Sequence, residues 1–487
     1  MNKLTLPYLL IIFSFFSCNS PEYDEPVVSL EAYKIKDGFN LEVITSEPFI
    51  EAPVVMDFDN QGRIWVVEMR GYMQNLEGTG EDMPNGRITI LEDLDKDGIT
   101  DHAKVFLDSL VLPRAIAHVY GGLLYAEPPN LWFVDIKDDK PVNKVLVDSK
   151  YTHGGNVEHQ PNGLMMHLDN WIYNAKSWVR YQRKGGVWIK ENTSFRGQWG
   201  ITKDNFGRIY FNDNSTQLNG DLVLPNTTTK NKFLKPLKST GKNLTKTRSV
   251  YPLHPTSVNR GYLPGVLDKD SILTKITSAC GPLIYRGNQF AKEFSENAFV
   301  CAPEANLIKR NIIDFTSYNL TAKQATPKTE FIASTDEGFR PVNLFNGPDG
   351  NLYIVDMHRG ILQDKAFLTP YLKKHYAKKK LDTIIGMGRI LKVSPNDHTF
   401  NEIPNFKKLN DSELIQLLAH DNGWHRDRAQ HTLVFQYRQT AIPLLKNKLE
   451  SSTSVITKIH ILHALNGLEA LTYDYLFDIL SKSDDEK

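Results

Sequence analysis

Two rhythms divide this chain. Up to about residue 400 the apolar positions fall in short runs of alternating aliphatic and aromatic residues, each led in by a polar turn. Five stretches show it: "DFDNQGRIWVVEMRG" ending at Gly71, "HVYGGLLYAEPPN" at Asn130, "HLDNWIYNAKS" at Ser177, "TKDNFGRIYFNDNS" at Ser215 and "NGPDGNLYIVDMHRG" at Gly360. Most carry Asp or Asn, then a glycine-type turn, then a strand, which is the signature of a hairpin. A weaker sixth copy, "NAFVCAPEANLIKR", runs from Asn297 to Arg310. Copies roughly 40–60 residues apart, each with room for several strands, predict a six-bladed β-propeller over residues 33–400. From Leu409 the period becomes helical. "LNDSELIQLLAH" opens with Asn410 and Glu413 in capping-box positions. The amphipathic segments that follow predict a short α-solenoid of HEAT type over 405–487, docked on the propeller or belonging to a longer architecture. Between the two units, Leu368–Asp382 is basic and reads as a solvated helix or a docking surface.

The repeat also suggests where chemistry sits. Six positions beyond the turn residues Gly62, Gly121, Asn170, Gly207 and Gly350 stand Glu68, Glu127, Lys176, Asp213 and Asp356, all ionisable. If these are the innermost strands, the five residues form a polar rung at one channel mouth, since lone buried charges are costly and convergent polar groups mark sites. The stretch Thr152–Ser177 holds His153, His159 and His167. His167 sits beside a turn and reads as structural. His153 lies in the glycine loop "HGGN", where backbone can approach a ligand, and is the candidate general base. The spacing lacks the further ligands that zinc needs.

Composition narrows the class. Formal net charge is zero, which argues against nucleic acid as a partner. Lys3, the apolar run Leu4–Phe16 and Ser17-Cys18 form an export signal over 1–18 of lipoprotein type, with Cys18 the lipidated residue and 19–32 a linker. The protein is therefore expected outside the cytoplasm, periplasmic or at the cell surface, held to a bacterial membrane by a lipid anchor only. In that oxidising setting Cys280 and Cys301 are expected to form a disulfide. In "EDLDKDGITDHAKVF", Asp93, Asp95, Asp97 and Asp101 alternate around Gly98 in the manner of a calcium loop. Lys104 stands where such a loop places its closing Glu, so a ligand from elsewhere or a looser site is required.

The segments "WVVEMRGYMQNLEGTGEDMPNGRITILEDLDKDG", "VLPRAIAHVYGGLLYAEPPNLWF", "GGNVEHQPNGL", "VNRGYLPG" and "ASTDEGFRPVNLFNGPDGNLYIVDMHRGILQ" resemble the membrane-bound dehydrogenase-like, PVC-type haem-binding proteins. The resemblance covers roughly Tyr33 to Val393. It implies a propeller similar to the quinoprotein glucose and sorbosone dehydrogenases followed by HEAT repeats. In that family a cytochrome c domain often comes next; this sequence has no CxxCH and so no covalent haem of its own. What the resemblance implies is oxidation of a sugar or alcohol with pyrroloquinoline quinone, electrons passing to a separate acceptor such as a cytochrome c. Cations for the cofactor's carboxylates would come from Arg70, Arg114, Lys176, Arg260, Arg340 and Arg359. Two other readings stay open: a non-catalytic scaffold binding a glycan or protein, and a lactonase-type hydrolase whose metal is held by Glu68, Glu127, Asp213 and Asp356.

Overall fold

In four of the repeats an aspartate closes the turn that starts a strand. In the computed structural model, which describes residues 28–229, 231, 233–234, 239–315, 319–399 and 402–483, Asp59 accepts from the amides of Gln61 and Arg63 at 2.8 and 3.0 Å and from Trp65 Nε1 at 3.1 Å. Asp204 does the same with the amides of Phe206 and Arg208, both at 2.9 Å, and the Tyr210 hydroxyl at 3.0 Å. Asp349 accepts from Asn351 N at 3.1 Å and the Tyr353 hydroxyl at 3.0 Å. The turn residue between takes a left-handed φ, +82° at Gly62, +83° at Gly207, +85° at Gly350 and +63° at Asn170, a conformation glycine and asparagine adopt at little cost. One short motif thus specifies a hairpin and the aromatic ring that plugs it.

The hairpins build the six-bladed β-propeller that the repeat predicts. Its antiparallel sheets span 53–110, 115–148, 162–196, 202–243, 280–334 and 341–395. The innermost strands are Pro53–Phe58, Ala115–Val119, Asn162–Met166, Thr202–Lys203, Cys280–Ile284 and Pro341–Asn346, neighbours around a central channel. The N-terminal end closes the ring. Tyr33–Ile35 joins blade 5, and Phe39–Thr45 becomes the outer strand of blade 6, with Leu41 opposite Val393. A circle closed by strands distant in sequence leaves no free end to fray.

Glycines pinch the channel at its waist. A Cβ on Gly200 would lie 2.9 Å from the Cα of Gly281, one on Gly281 2.4 Å from the Val342 carbonyl oxygen, and one on Gly163 3.2 Å from the Cα of Gly200. Four inner strands therefore meet backbone to backbone. Asn162 stitches two of them, donating to Gln198 O at 2.9 Å and accepting from Gly200 N at 2.8 Å. Asn343 donates to Val54 O at 3.0 Å. The waist separates an upper mouth from a lower cavity of about 210 Å³.

Helices close the lower end. The basic segment forms α1 (Pro370–Lys379), which lies at the opposite, upper end with Tyr371 against Tyr262; the helices of the lower end are α2 (Asp411–Leu417), α3 (Gly423–Phe435), α4 (Ile442–Ser451), α5 (Val455–Gly467) and α6 (Tyr473–Ser481). The capping box on α2 forms as its sequence predicts, Asn410 and Glu413 bonding each other's backbone amides at 3.0 and 2.8 Å. Helix α3 lies across the channel and reaches all six blades. Arg428 donates to Phe58 O and lies against His118 O, Gln430 donates to Leu168 O, and Arg426 to Asn205. Asp427 takes two bonds from Arg286 at 2.7 and 2.9 Å and one from Lys203 at 2.9 Å. Asn422 and His425 reach the carbonyl of Pro348. The repeat's turns are therefore the floor on which the helical segment docks.

Two expectations fall elsewhere. Cys280 and Cys301 stand directly opposite each other on adjacent strands but are free thiols. Burial pushes the Cys301 thiol up, so it stays protonated and a poor nucleophile. The export signal and Cys18 lie outside the described residues.

Candidate functional site

The upper mouth gathers the loops that enter each blade and those that follow its second strand. Its lining runs around the circle through Val54 and Tyr72, Val157 and Glu158, Gln198 and Trp199, Asn214, Ser278 and Cys280, and Val342 with Gln363. The walls are mainly apolar with a few convergent polar groups, the usual make-up of a small-molecule site.

Glu158 is the hub. It sits in the short 3-10 turn Val157–His159 that precedes the inner strand of blade 3. Its carboxylate accepts two bonds from Gln363 Nε2, both at 2.9 Å, one from the amide of Asp364, and one from the Tyr72 hydroxyl at 3.3 Å. Burial, with the Asp364 carboxylate nearby, pushes it up to about 7. Gln198 braces the turn from the other side. Its Nε2 donates to Glu158 O at 2.8 Å and its Oε1 accepts from Lys176 Nζ at 2.8 Å. Burial and the Lys176 charge hold His159 below the ordinary imidazole range, so it is neutral near pH 7. Lys176 is itself lowered by burial. A second carboxylate, Glu304, is buried beside Pro303, accepts from Thr277 Oγ1 and Asn259 N, and is raised by burial. The mouth can therefore hold a proton at Glu158 and release it near neutrality.

The rung of ionisable residues is not on the innermost strands. It ends the second strand of each blade, because the hairpin turn lies between the first strand and the second. Glu68 pairs with Arg87 at 2.8 Å and Asp356 with Arg389 at 2.7 Å, each across a register pair to the third strand. Glu127 accepts from Val111 N at 3.2 Å, and Asp213 is exposed and accepts from Asn219 Nδ2 at 3.1 Å. Lys176 reaches the mouth, where its Nζ bonds Gln198 at 2.8 Å. Among the described residues these carboxylates form no metal-binding group.

The predicted base and cations are also differently placed. His153 is exposed on its loop and finds no side-chain partner among the described residues. Arg70 is held by Glu51 at 2.8 and 2.9 Å. Arg114 donates to the carbonyl of Val157, Arg340 to those of Pro303, Arg359 and Gly360, and Arg359 to that of Ile385. All three guanidiniums are buried, and desolvation pulls Arg114 and Arg359 down to about 10. They brace loops from behind. Arg260 is exposed. The free positive charge at the mouth is thus small, while Glu158, Glu304 and Asp364 crowd it with carboxylates. His167 is structural as expected, bonded to Gly207 O at 2.8 Å and to Asp169 at 3.0 Å.

In the acidic hairpin of blade 1, Asp93, Asp95 and Asp101 converge closely enough to share an ion. Asp97 turns to the amide of Ile99 at 2.8 Å instead. Lys104 points to Glu92 and Asp139 at 2.8 and 3.1 Å, away from the loop.

Glu158, Gln198, Gln363 and Glu304 carry no motif of their own. A signal for the mouth exists, but it runs backwards from the turns. Eight positions before Gly62, Gly207 and Gly350 stand Val54, Trp199 and Val342, all of which line the mouth.

No curated protein matches the chain. Among solved structures it is similar to a carbohydrate-active enzyme of family AA12 from Trichoderma reesei, at 11% identity and a TM-score of 0.43, over 77% of this chain and all of that one. It is similar to a glucose dehydrogenase at 13% identity and 0.39, over 72% and 99% of the two chains. It is also similar to the PQQ-bound aldose sugar dehydrogenase of Streptomyces coelicolor at 9% and 0.38, over 74% and 99%. A family described as a domain of unknown function, DUF7133, matches residues 25–397. That span holds all six blades and the whole mouth and stops before α2, so the chain is a member of the DUF7133 family.

Proposed function

We propose that the protein is an enzyme acting on an uncharged hydroxylated substrate, a sugar or an alcohol, at the upper mouth of the propeller. Glu158 is the group that takes the hydroxyl proton and returns it. The observation that carries this reading is a carboxylate poised at about 7 in a mainly apolar pocket, with Gln363, Gln198 and Lys176 around it as donors for hydroxyl groups. A general base works best when its pKa lies near the working pH. Oxidation of the substrate is the reaction class favoured by the sequence resemblance. In it Glu158 takes the hydroxyl proton, and the hydride passes to a two-electron organic oxidant supplied from outside the chain, a diffusible quinone or the assay dye, which is reduced by it.

Pyrroloquinoline quinone fits the mouth poorly. Its carboxylates need cations, and four of the arginines near the mouth are spent on backbone carbonyls or on Glu51, which leaves Lys176, bonded to Gln198, and the exposed Arg260 near Glu304. Glu158 and Glu304 would repel them. No step is derived through that cofactor. The metal-hydrolase reading loses its ligands to the Glu68–Arg87 and Asp356–Arg389 pairs.

The test is dye-linked oxidation and calorimetric binding over a panel of sugars and alcohols, with and without the quinone. The reading expects substrate-dependent turnover or binding that falls 10²- to 10⁴-fold in kcat/KM in Glu158→Gln. Equal turnover in the variant removes Glu158 from the chemistry. Turnover that requires the quinone overturns the cofactor argument.

A further inference from the structure

Aromatic rings stand exposed just outside the mouth, where the fold has no use for them. Trp178 is 63% exposed and Phe195 37%. They belong to the third and outer strands of blade 3 and lie against each other, centroids 5.1 Å apart. Lys176 joins this pair to the pocket: its Nζ bonds Gln198 at 2.8 Å and lies 5.7 Å from the Phe195 ring. On the Glu158 side, Phe367 packs on His159 at 5.0 Å and is 38% exposed. Beyond it Tyr262, 57% exposed, meets Tyr371 at 5.4 Å. The aromatics thus continue outward from the pocket in separate pairs, with polar groups between them.

We infer that these rings are the walls of an extended cleft for a neutral glycan chain, whose one reactive sugar enters the mouth while its neighbours stack on Trp178 and Phe195. The inference rests on the sugar reading of the mouth and narrows it from a free sugar to a chain. A sugar ring has an apolar C–H face and a polar rim. It therefore suits an exposed aromatic plane with hydroxyl partners such as Lys176 at its edge. A membrane or an obligate protein partner calls instead for one contiguous apolar patch, whereas here each pair is bounded by charge. The carboxylates at the mouth, Glu158, Glu304 and Asp364, outnumber the cations Lys176 and Arg260 beside them and disfavour an anionic polymer.

The experiment measures binding of oligosaccharides, from the single sugar to the hexamer, by calorimetry. The probes are β-1,3- and β-1,4-linked glucans, xylan and mannan, and the proteins are wild type, Trp178→Ala and Glu158→Gln. Because Trp178 is largely exposed, its truncation leaves the fold in place, which a melting curve checks. The expected result is an affinity that climbs about tenfold or more with chain length in at least one series, and a climb flattened in Trp178→Ala. A climb of the same steepness in Trp178→Ala, equal affinity for the single sugar and the hexamer, or no binding in any series overturns the inference. Length-dependent binding through Trp178 with no turnover that depends on Glu158 would leave the cleft standing and remove the chemistry proposed for the mouth.

Discussion

At the scale of the residue, Glu158 differs from the ion-paired carboxylates of the fold in what surrounds it. Asp427 is buried against the Arg286 guanidinium, which holds its carboxyl well below the usual range, so it stays ionised. Glu158 meets only neutral donors, an amide side chain, a backbone N–H and a phenol, so desolvation wins and its proton is held to about 7. If the ionised form is the base, kcat/KM should rise as pH climbs through about 7 and level off above it. A pH–rate profile that is flat from 5 to about 9, in a protein that turns substrate over, would show that a different group limits the reaction. The sequence drew attention to His153, His159 and His167 and passed over the glutamate lying among them. Histidine advertises a titration near neutrality by its residue type alone; glutamate acquires one only by burial, which a sequence does not display.

At the scale of the element, helix α3 and the hairpin turns depend on each other. Asp427 is buried with Arg286 and Lys203, so removing one partner strands charge in a dry interface. Asp427→Asn is expected to cost about 3–5 kcal/mol, read as a lower midpoint in urea unfolding. A loss below about 1 kcal/mol would mean that water reaches the interface. The acidic hairpin of blade 1 makes a separate prediction. If Asp93, Asp95 and Asp101 hold calcium, adding calcium to chelator-treated protein raises the melting temperature, and Asp93→Asn abolishes the gain. An identical melt with calcium and with chelator would leave the loop as a plain turn. Both elements were partly legible. The alternating aspartates and the capping box on α2 are local patterns, whereas the six-blade contact made by α3 joins residues hundreds of positions apart.

At the scale of the whole molecule, the docked cap makes the protein acid-sensitive. Burial holds His425 and His463 at about 4 and His431 at about 3, against 6.5 for the free side chain. In the unfolded chain these imidazoles protonate as pH falls through 6.5; in the fold they do not until well below. Stability is therefore fully present above about 6.5 and drains away towards pH 4, by about 1.4 kcal/mol for each unit of separation at each site. Glu158 acts oppositely, its folded value lying above the unfolded one, so its contribution is lost between about 4.5 and 7 as pH rises. The histidines outnumber it, and melting temperatures should drop steeply between pH 6.5 and 4. A melting temperature constant over that window would show that the cap does not rest on neutral imidazoles.

The sequence by itself determined the blades. Turn aspartates, left-handed glycines and alternating apolar strands act over ten residues or fewer, and their recurrence in the chain is the propeller's symmetry written out. It determined the change to helix after residue 400 for the same reason. Tertiary structure alone decided which strand faces the channel, and with it the fate of the ionisable rung. It decided that Arg114, Arg340 and Arg359 brace carbonyls, that the two thiols stay free, and that Glu158, Gln363 and Glu304 meet at one mouth. Those outcomes turn on closing a ring of some 360 residues and on the desolvation that closure imposes.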